Sequence, residues 1–325
     1  MTGRFHIAMP LDDGPTGGGN QFLKALRGVW RRRGAYADDP VQADVVLFNS
    51  FQFLRDAAAL RARLPKAVFL HRADGVTRLY NAPDDPRDAA AIRANRFLAD
   101  GTIFQTAWCR DAHLRLGWPT DRPYAVIGNA PDPAIFHPGV AHDCAKRPRL
   151  VVTSWSRNPN KGADVLDWLE ASAPQLDFDV TFVGNASRKL ANIHHLAPVP
   201  SAELAEILRG QDIFLMPARN ECCSNALAEA LACGLPALAR NDSGNPEVLG
   251  KGGELFDRPE EIPAKVAAIA ANFAAYRMAI PKFDIDAIAR RYEAFADTVA
   301  SAAPMISHYR RFGTPAAWFA RLALT

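Results

Sequence analysis

The strongest constraint on this chain of 325 residues is a pattern that runs through it twice. A short apolar run is followed by a turn and then by a stretch with helical periodicity. In the front half the runs are Phe5–Met9, Asp44–Phe48, Lys66–Leu70, Gly101–Phe104 and Tyr124–Ile127. Helical stretches separate them, the first carrying Phe22, Leu23, Leu26, Val29 and Trp30 on one face. The segment GNAPDPAIFHP at 128–138 holds three prolines and breaks the pattern. It restarts with runs at Leu150–Ser154, Val180–Val183, Ile193–Leu196, Ile213–Met216 and Ala237–Ala239. Strands alternating with helices predict parallel sheets built from βαβ units. The expected architecture is α/β, with two Rossmann-like domains, 1–146 and 147–304, facing across a cleft. A C-terminal helix over 305–325 is expected to pack back on the first domain. Ligands of such sheets bind outside the carboxyl ends of the strands.

Length and composition agree with this. A chain of 325 residues exceeds what one core usually serves. Its 49% hydrophobic and 22% charged residues are those of an ordinary soluble protein. Residues 1–146 carry 19 Lys and Arg against 15 Asp and no Glu, too weak a bias for nucleic acid. Five cysteines, an odd number without a C-x-x-C pair, and no secretory leader lead to the expectation of reduced thiols in a cytoplasm. No apolar run nears the roughly 18–20 residues that span a bilayer. The helix Asn20–Arg33 ends its apolar stripe in WRRR. It is either a peripheral contact with an anionic membrane at the inner surface or a solvated basic helix end.

Several residues fall at the carboxyl ends of predicted strands. Gly17, Gly18 and Gly19 precede a helix and let backbone N–H groups approach an anion; the alternative is a plain strand-to-helix turn. Lys161 and Arg157, in SWSRNPNKG, suit a diphosphate, or else form a basic helix start that opposes the dipole. His71, opening HRADG, is placed to meet a sugar hydroxyl, although a lone His is more often structural. Asp74 is a candidate for orienting an acceptor. Glu221 precedes the helix Ser224–Cys233, and Glu229 lies within it. Eight residues turn a helix about 80° past two turns and rise about 12 Å, so the two carboxylates cannot form an acid/base pair. They can hold two separated points of one elongated ligand. Asn225 shares the face of Glu229, and the N–H groups around Ser224 point to whatever lies between.

The segments NECCSNALAEALACGLPALA, SGNPEVL and SWSRNPNKG resemble the family-4 (group 1) retaining glycosyltransferases with the GT-B fold. HRADG, NAPDPAIFHP and GGGNQFLKAL extend the resemblance over the front half. It implies that Glu229 holds the donor ribose and Glu221 the donor sugar near its anomeric centre. It implies that Lys161 contacts the diphosphate, that His71 sits beside the donor sugar, and that the base lies near Gly184 and the Pro198–Ser201 turn. Such enzymes need no metal and no cofactor beyond the nucleotide diphosphate sugar, and they transfer a hexose to a hydroxyl acceptor: a glycan, a lipid-linked sugar or a small molecule, in polysaccharide biosynthesis. The chain departs from the family at Ser156, where an arginine is usual and Arg157 lies one residue off, and at Cys222 and Cys223, where glycines are usual. Two alternatives remain at this level: a nucleotide-sugar epimerase of the same fold, and an inactive sugar-nucleotide-binding partner subunit.

Overall fold

The computed structural model describes residues 3–11 and 18–306. The expected helix at 305–325 lies outside the described residues except for its first two. The first half runs β1 (Phe5–Ile7), α1 (Gly18–Arg32), β2 (Val45–Asn49), α2 (Leu54–Arg63), β3 (Val68–Arg72), α3 (Thr77–Tyr80), α4 (Arg87–Leu98), β4 (Gly101–Phe104), α5 (Ala107–Arg115) and β5 (Tyr124–Val126). Its five strands form a parallel sheet in the order β1-β2-β3-β4-β5.

The second half runs β6 (Arg149–Ser154), α6 (Ala163–Ser172), β7 (Asp179–Gly184), β8 (His194–Leu196), α7 (Ser201–Arg209), β9 (Ile213–Met216), α8 (Asn225–Ala232), β10 (Ala237–Arg240), α9 (Asn245–Leu249), β11 (Gly253–Phe256), α10 (Ile262–Ala271), α11 (Phe273–Met278) and α12 (Ile285–Ile306). Its sheet is also parallel, ordered β11-β10-β9-β6-β7-β8. Central strands such as VVLFN and IFLM are buried on both faces. That is why they read as continuous apolar runs rather than alternating ones. On one face of the second sheet, Leu150 and Val152 pack with Val165 and Leu169 of α6 and with Val266 and Ile269 of α10. Both expected sheets are present.

The units divide the chain differently from the expected domains. Residues 3–11, 23–128 and 285–306 form the first unit, and residues 18–22 and 129–284 the second. The break falls after Gly128 rather than at 146/147, because the proline-rich linker is bonded to helices of the second unit. Arg209 Nη1 donates to the Ile135 carbonyl at 3.1 Å, and Arg277 Nη1 to the His142 carbonyl at 3.1 Å. Helix α12, expected in the second domain, belongs to the first unit. There Trp30 Nε1 donates to Glu293 at 3.2 Å, and Arg33 pairs with Asp286 at 2.6 Å and Glu293 at 3.1 Å.

Of the two readings of Asn20–Arg33, the peripheral membrane contact loses its apolar surface. Leu23, Leu26, Val29 and Trp30 are buried in the fold, so the apolar stripe is a core face. Arg31 and Arg33 beyond it bond acidic side chains. Among the described residues no helix is long and apolar enough to cross a membrane.

The seat of α12 is narrow. A Cβ at Gly101, on β4, would lie 2.6 Å from Val299 Cγ2 and 3.0 Å from the Phe295 ring. Gly101→Ala is therefore expected to destabilise the first unit by about 1–3 kcal/mol, read from the denaturant midpoint. An unchanged midpoint would mean that α12 does not press on β4.

Candidate functional site

In the second unit the loops after β6, β9 and β10 are bonded to one another. Arg219 N donates to the Asn160 carbonyl at 2.7 Å, Asn220 N to Asp242 Oδ1 at 2.7 Å, and Gly244 N to the Glu221 carbonyl at 2.8 Å. Asn245, fully buried, donates through Nδ2 to the Ala218 carbonyl at 2.9 Å. A Cβ at Gly244 would stand 2.1 Å from the Cys222 oxygen, so only glycine fits. Asn220 and Ser243 take left-handed backbone, φ 57° and 56°. Such strain persists where surrounding contacts over-determine it.

Within this frame Lys161 and Glu221 form an ion pair through Nζ and Oε1. Lys161 ends a 3-10 turn, Pro159–Lys161. Gly162 follows with φ 94°, and a Cβ there would lie 2.4 Å from Pro217. The spacing of Glu221 and Glu229 does what geometry requires, giving them different environments. Glu229 is 9% exposed and its carboxylate has no hydrogen-bond or ion-pair partner among the described residues. Burial alone pushes its pKa up to about 8. Asn225, one turn earlier, accepts from Asn129 Nδ2 at 3.0 Å through Oδ1. A Cβ at Gly18 would lie 2.5 Å from the Asn225 side chain, so that glycine sits directly against the start of α8. Gly19 follows in α1, and Gly17 lies outside the described residues.

A groove beside these loops is lined by Ser154, Ser156, Arg157, Asn158, Lys161 and Asn185. Arg157 is exposed there and shares the groove with Lys161.

Two of the expected ligand contacts also have structural duties. Ser224 is the N-cap of α8: its hydroxyl accepts from Leu227 N at 3.2 Å and donates to Met216 Sδ at 3.3 Å. Gly184 ends β7 with φ 145°, and a Cβ there would lie 1.9 Å from the Ser154 carbonyl oxygen. Its glycine is required by the approach of β7 to β6.

In the first unit His71 is corrected outright. It is fully buried in β3, stacked on Phe48 with centroids 4.2 Å apart. Its Nε2 donates to the Ser50 carbonyl at 2.8 Å, and its Nδ1 accepts from Asn95 Nδ2 at 3.1 Å. Burial lowers its pKa to about 3, so it is a neutral core residue with both nitrogens engaged. Asp74 does emerge. It accepts from Gln105 Nε2 at 3.0 Å and from Asn49 Nδ2 at 3.3 Å, with Arg72 at 3.6 Å. Burial opposes its ionisation, but Arg72 and the two amides outweigh that and hold the carboxyl below its usual value.

Sequence reasoning missed Asn129, Asn245 and Asp242, which fix Asn225 and the loops. Their signal was the Asn and Asp content of turns flanking the candidate residues.

Residues 147–272 match the family described as Glycosyl transferases group 1. No curated protein matches the sequence. Solved structures share the fold. The Anabaena protein HepE, in complex with UDP-glucose, has a TM-score of 0.67 at 13% identity over 92% of this chain and 100% of that one. The catalytic domain of starch synthase IV from Arabidopsis thaliana, bound to ADP and acarbose, has 0.62 at 11% over 86% and 76%. TarM has 0.61 at 14% over 78% and 54%, so the chain matches about half the length of TarM. The two parallel-sheet units are those of the GT-B fold.

The isolated Glu229 carboxyl has a consequence for stability. Its folded pKa lies above the ordinary glutamate value of 4.5, so the protonated form favours the fold below about pH 4.5, and that favour is lost as pH rises through about 8. The ligand-free wild type is expected to lose about 3–5 kcal/mol relative to Glu229→Gln between pH 5 and 9, read by denaturant titration. Parallel pH profiles would show that the carboxyl is not displaced.

Proposed function

We propose that this chain, whose residues 147–272 match the group 1 glycosyl transferases, is a retaining glycosyltransferase. It moves a hexose from a nucleotide diphosphate sugar to a hydroxyl acceptor. The observation that carries the reading is Glu229: a buried carboxylate without a partner, on α8, whose N-terminus adjoins the Lys161–Glu221 pair. A buried polar group without a partner is costly. The two hydroxyls of a ribose supply the donors it lacks.

The remaining groups follow along one extended donor. Lys161 meets the diphosphate, helped by the N–H groups at the start of α8 and by Arg157. Glu221, freed from Lys161 as the phosphates arrive, accepts from sugar hydroxyls near the anomeric carbon. Gly18 and Gly19 bring backbone close to the same place. In the reaction the acceptor oxygen bonds to the anomeric carbon on the face from which the diphosphate leaves. The carbon–oxygen bond to the diphosphate breaks, and the acceptor proton passes to the departing phosphate oxygen. Lys161 and the helix N-terminus stabilise the charge that develops on the leaving group, so the reaction proceeds without a metal.

Calorimetry across a panel of nucleotide sugars tests the donor. Glu229, protonated near pH 7 when alone and ionised beneath a ribose, is expected to release about one proton on binding. The release appears as a dependence of the binding heat on buffer ionisation enthalpy and disappears in Glu229→Gln. A wild type that binds no nucleotide sugar would sink the reading.

Transfer activity is expected to survive EDTA and to fall by about 10²–10³ in kcat/KM in Lys161→Ala. NMR of the product reports the anomeric configuration. Inversion, or an altered sugar still attached to nucleotide in the absence of acceptor, would replace this mechanism.

A further inference from the structure

Arg240 ends β10 yet lies almost wholly inside the second unit, 4% exposed. A buried guanidinium is tolerated only where its charge and its N–H groups are engaged. Here the planar fork reaches two other loops at once. Nε donates to the Pro217 carbonyl, in the loop after β9, at 2.8 Å. Nη2 donates to Asp164 Oδ2, in the first turn of α6, at 2.7 Å. Its Cζ stands 5.5 Å from the centre of the Phe256 ring. Asp164 Oδ2 also accepts from Arg219 Nη2 at 2.8 Å, so two arginines share one carboxylate oxygen.

These bonds bear on Lys161 although none of them is made to it. The stretch from Asn160 to Asp164 is fastened at both ends to the stretch from Pro217 to Arg219, which leads on to Glu221. At one end the Asn160 carbonyl accepts from Arg219 N at 2.7 Å. At the other, Asp164 is held by Arg240 and Arg219. Between them the left-handed Gly162 lies directly against Pro217. Lys161 stands on that span, where its Nζ meets Glu221. The two fastenings of Asp164 are unequal. Arg219 is exposed, and an exposed ion pair holds weakly. Arg240 is buried and is fixed by its second bond, to Pro217.

We infer that Arg240 is a positioning residue for Lys161, an inference that rests on the donor reading above. It fixes the start of α6 against the loop after β9 and so sets where Lys161 meets a diphosphate. A cation placed before its ligand arrives loses less freedom on binding, and the ligand is held more tightly.

Calorimetric dissociation constants for UDP, ADP and GDP test this with wild type, Arg240→Met, Lys161→Ala and the double variant. Arg240→Met is expected to weaken the nucleotides bound by wild type about tenfold, and to have no further effect once Lys161 is gone, because a positioning residue acts only through the group it positions. Arg240→Lys, which can bond Asp164 or Pro217 but not both, is expected to fall between wild type and Arg240→Met. Asp164→Asn, at an exposed position, repeats the cycle and carries it should Arg240→Met not fold. A loss of the same factor with and without Lys161 overturns the inference, since general damage to the fold would weaken both chains alike. Unchanged affinity in Arg240→Met overturns it as well. In either case wild-type binding that weakens in Lys161→Ala leaves the donor reading standing. A wild type that binds none of the three nucleotides removes the donor reading and this inference together.

Discussion

The second unit depends on one close approach. Gly244 lies so near the carbonyl oxygens of Glu221 and Cys222 that no side chain could share the space, and its N–H donates to the first of them. That contact joins the loop after β9 to the loop after β10. Asp242 and Asn245 add bonds from the same turn to Asn220 and Ala218. The chain between Pro217 and Ser224 is therefore set before any ligand arrives. Glu221 is delivered to Lys161, Ser224 is delivered to the first turn of α8, and the helix is aimed. The left-handed conformations of Asn220 and Ser243 are the local cost of this arrangement.

Two glutamates on one short stretch have opposite electrostatic situations. Glu221 has a cation in hand, whereas Glu229, one turn along a buried helix, has no partner among the described residues. The sequence interval already ruled out a catalytic dyad, and the environments explain what each can do instead. One is held by an internal cation, and the other has open hydrogen-bonding capacity.

Much of the fold was legible because parallel strands covered on both faces leave an unmistakable apolar run. Strand β11 was not, since Gly253–Phe256 is mostly half-buried and its glycine is fixed by the carbonyl of Ala237 rather than by any local pattern. The unit boundary was hidden because Arg209 and Arg277, far along the chain, decide where the linker packs. The seat of α12 was hidden too, because its partner is the bare surface of Gly101, far back in the chain. His71 was misread for a simpler reason. Strand β3 continues through Arg72, so the histidine is an interior strand residue and Asp74 is the one that emerges. That Lys161 and Glu221 meet follows from their places at strand ends, whereas the capping of α8 by Ser224 and the approach of β7 to β6 at Gly184 needed the folded chain to be seen.

The buried histidine and the buried glutamate contribute to stability with opposite dependence on pH. His71 cannot take a proton inside the first unit until about pH 3, although an unfolded histidine does so near 6.5, so the support it gives that unit is present above 6.5 and drains away as pH falls. Glu229 acts in reverse, and its support for the second unit is lost as pH rises. Other carboxyls of that unit are held below their usual range, Asp212 against its burial by Arg149 and Glu254 by Lys265 and Tyr276, so their support is lost in acid and Glu229 runs against its neighbours.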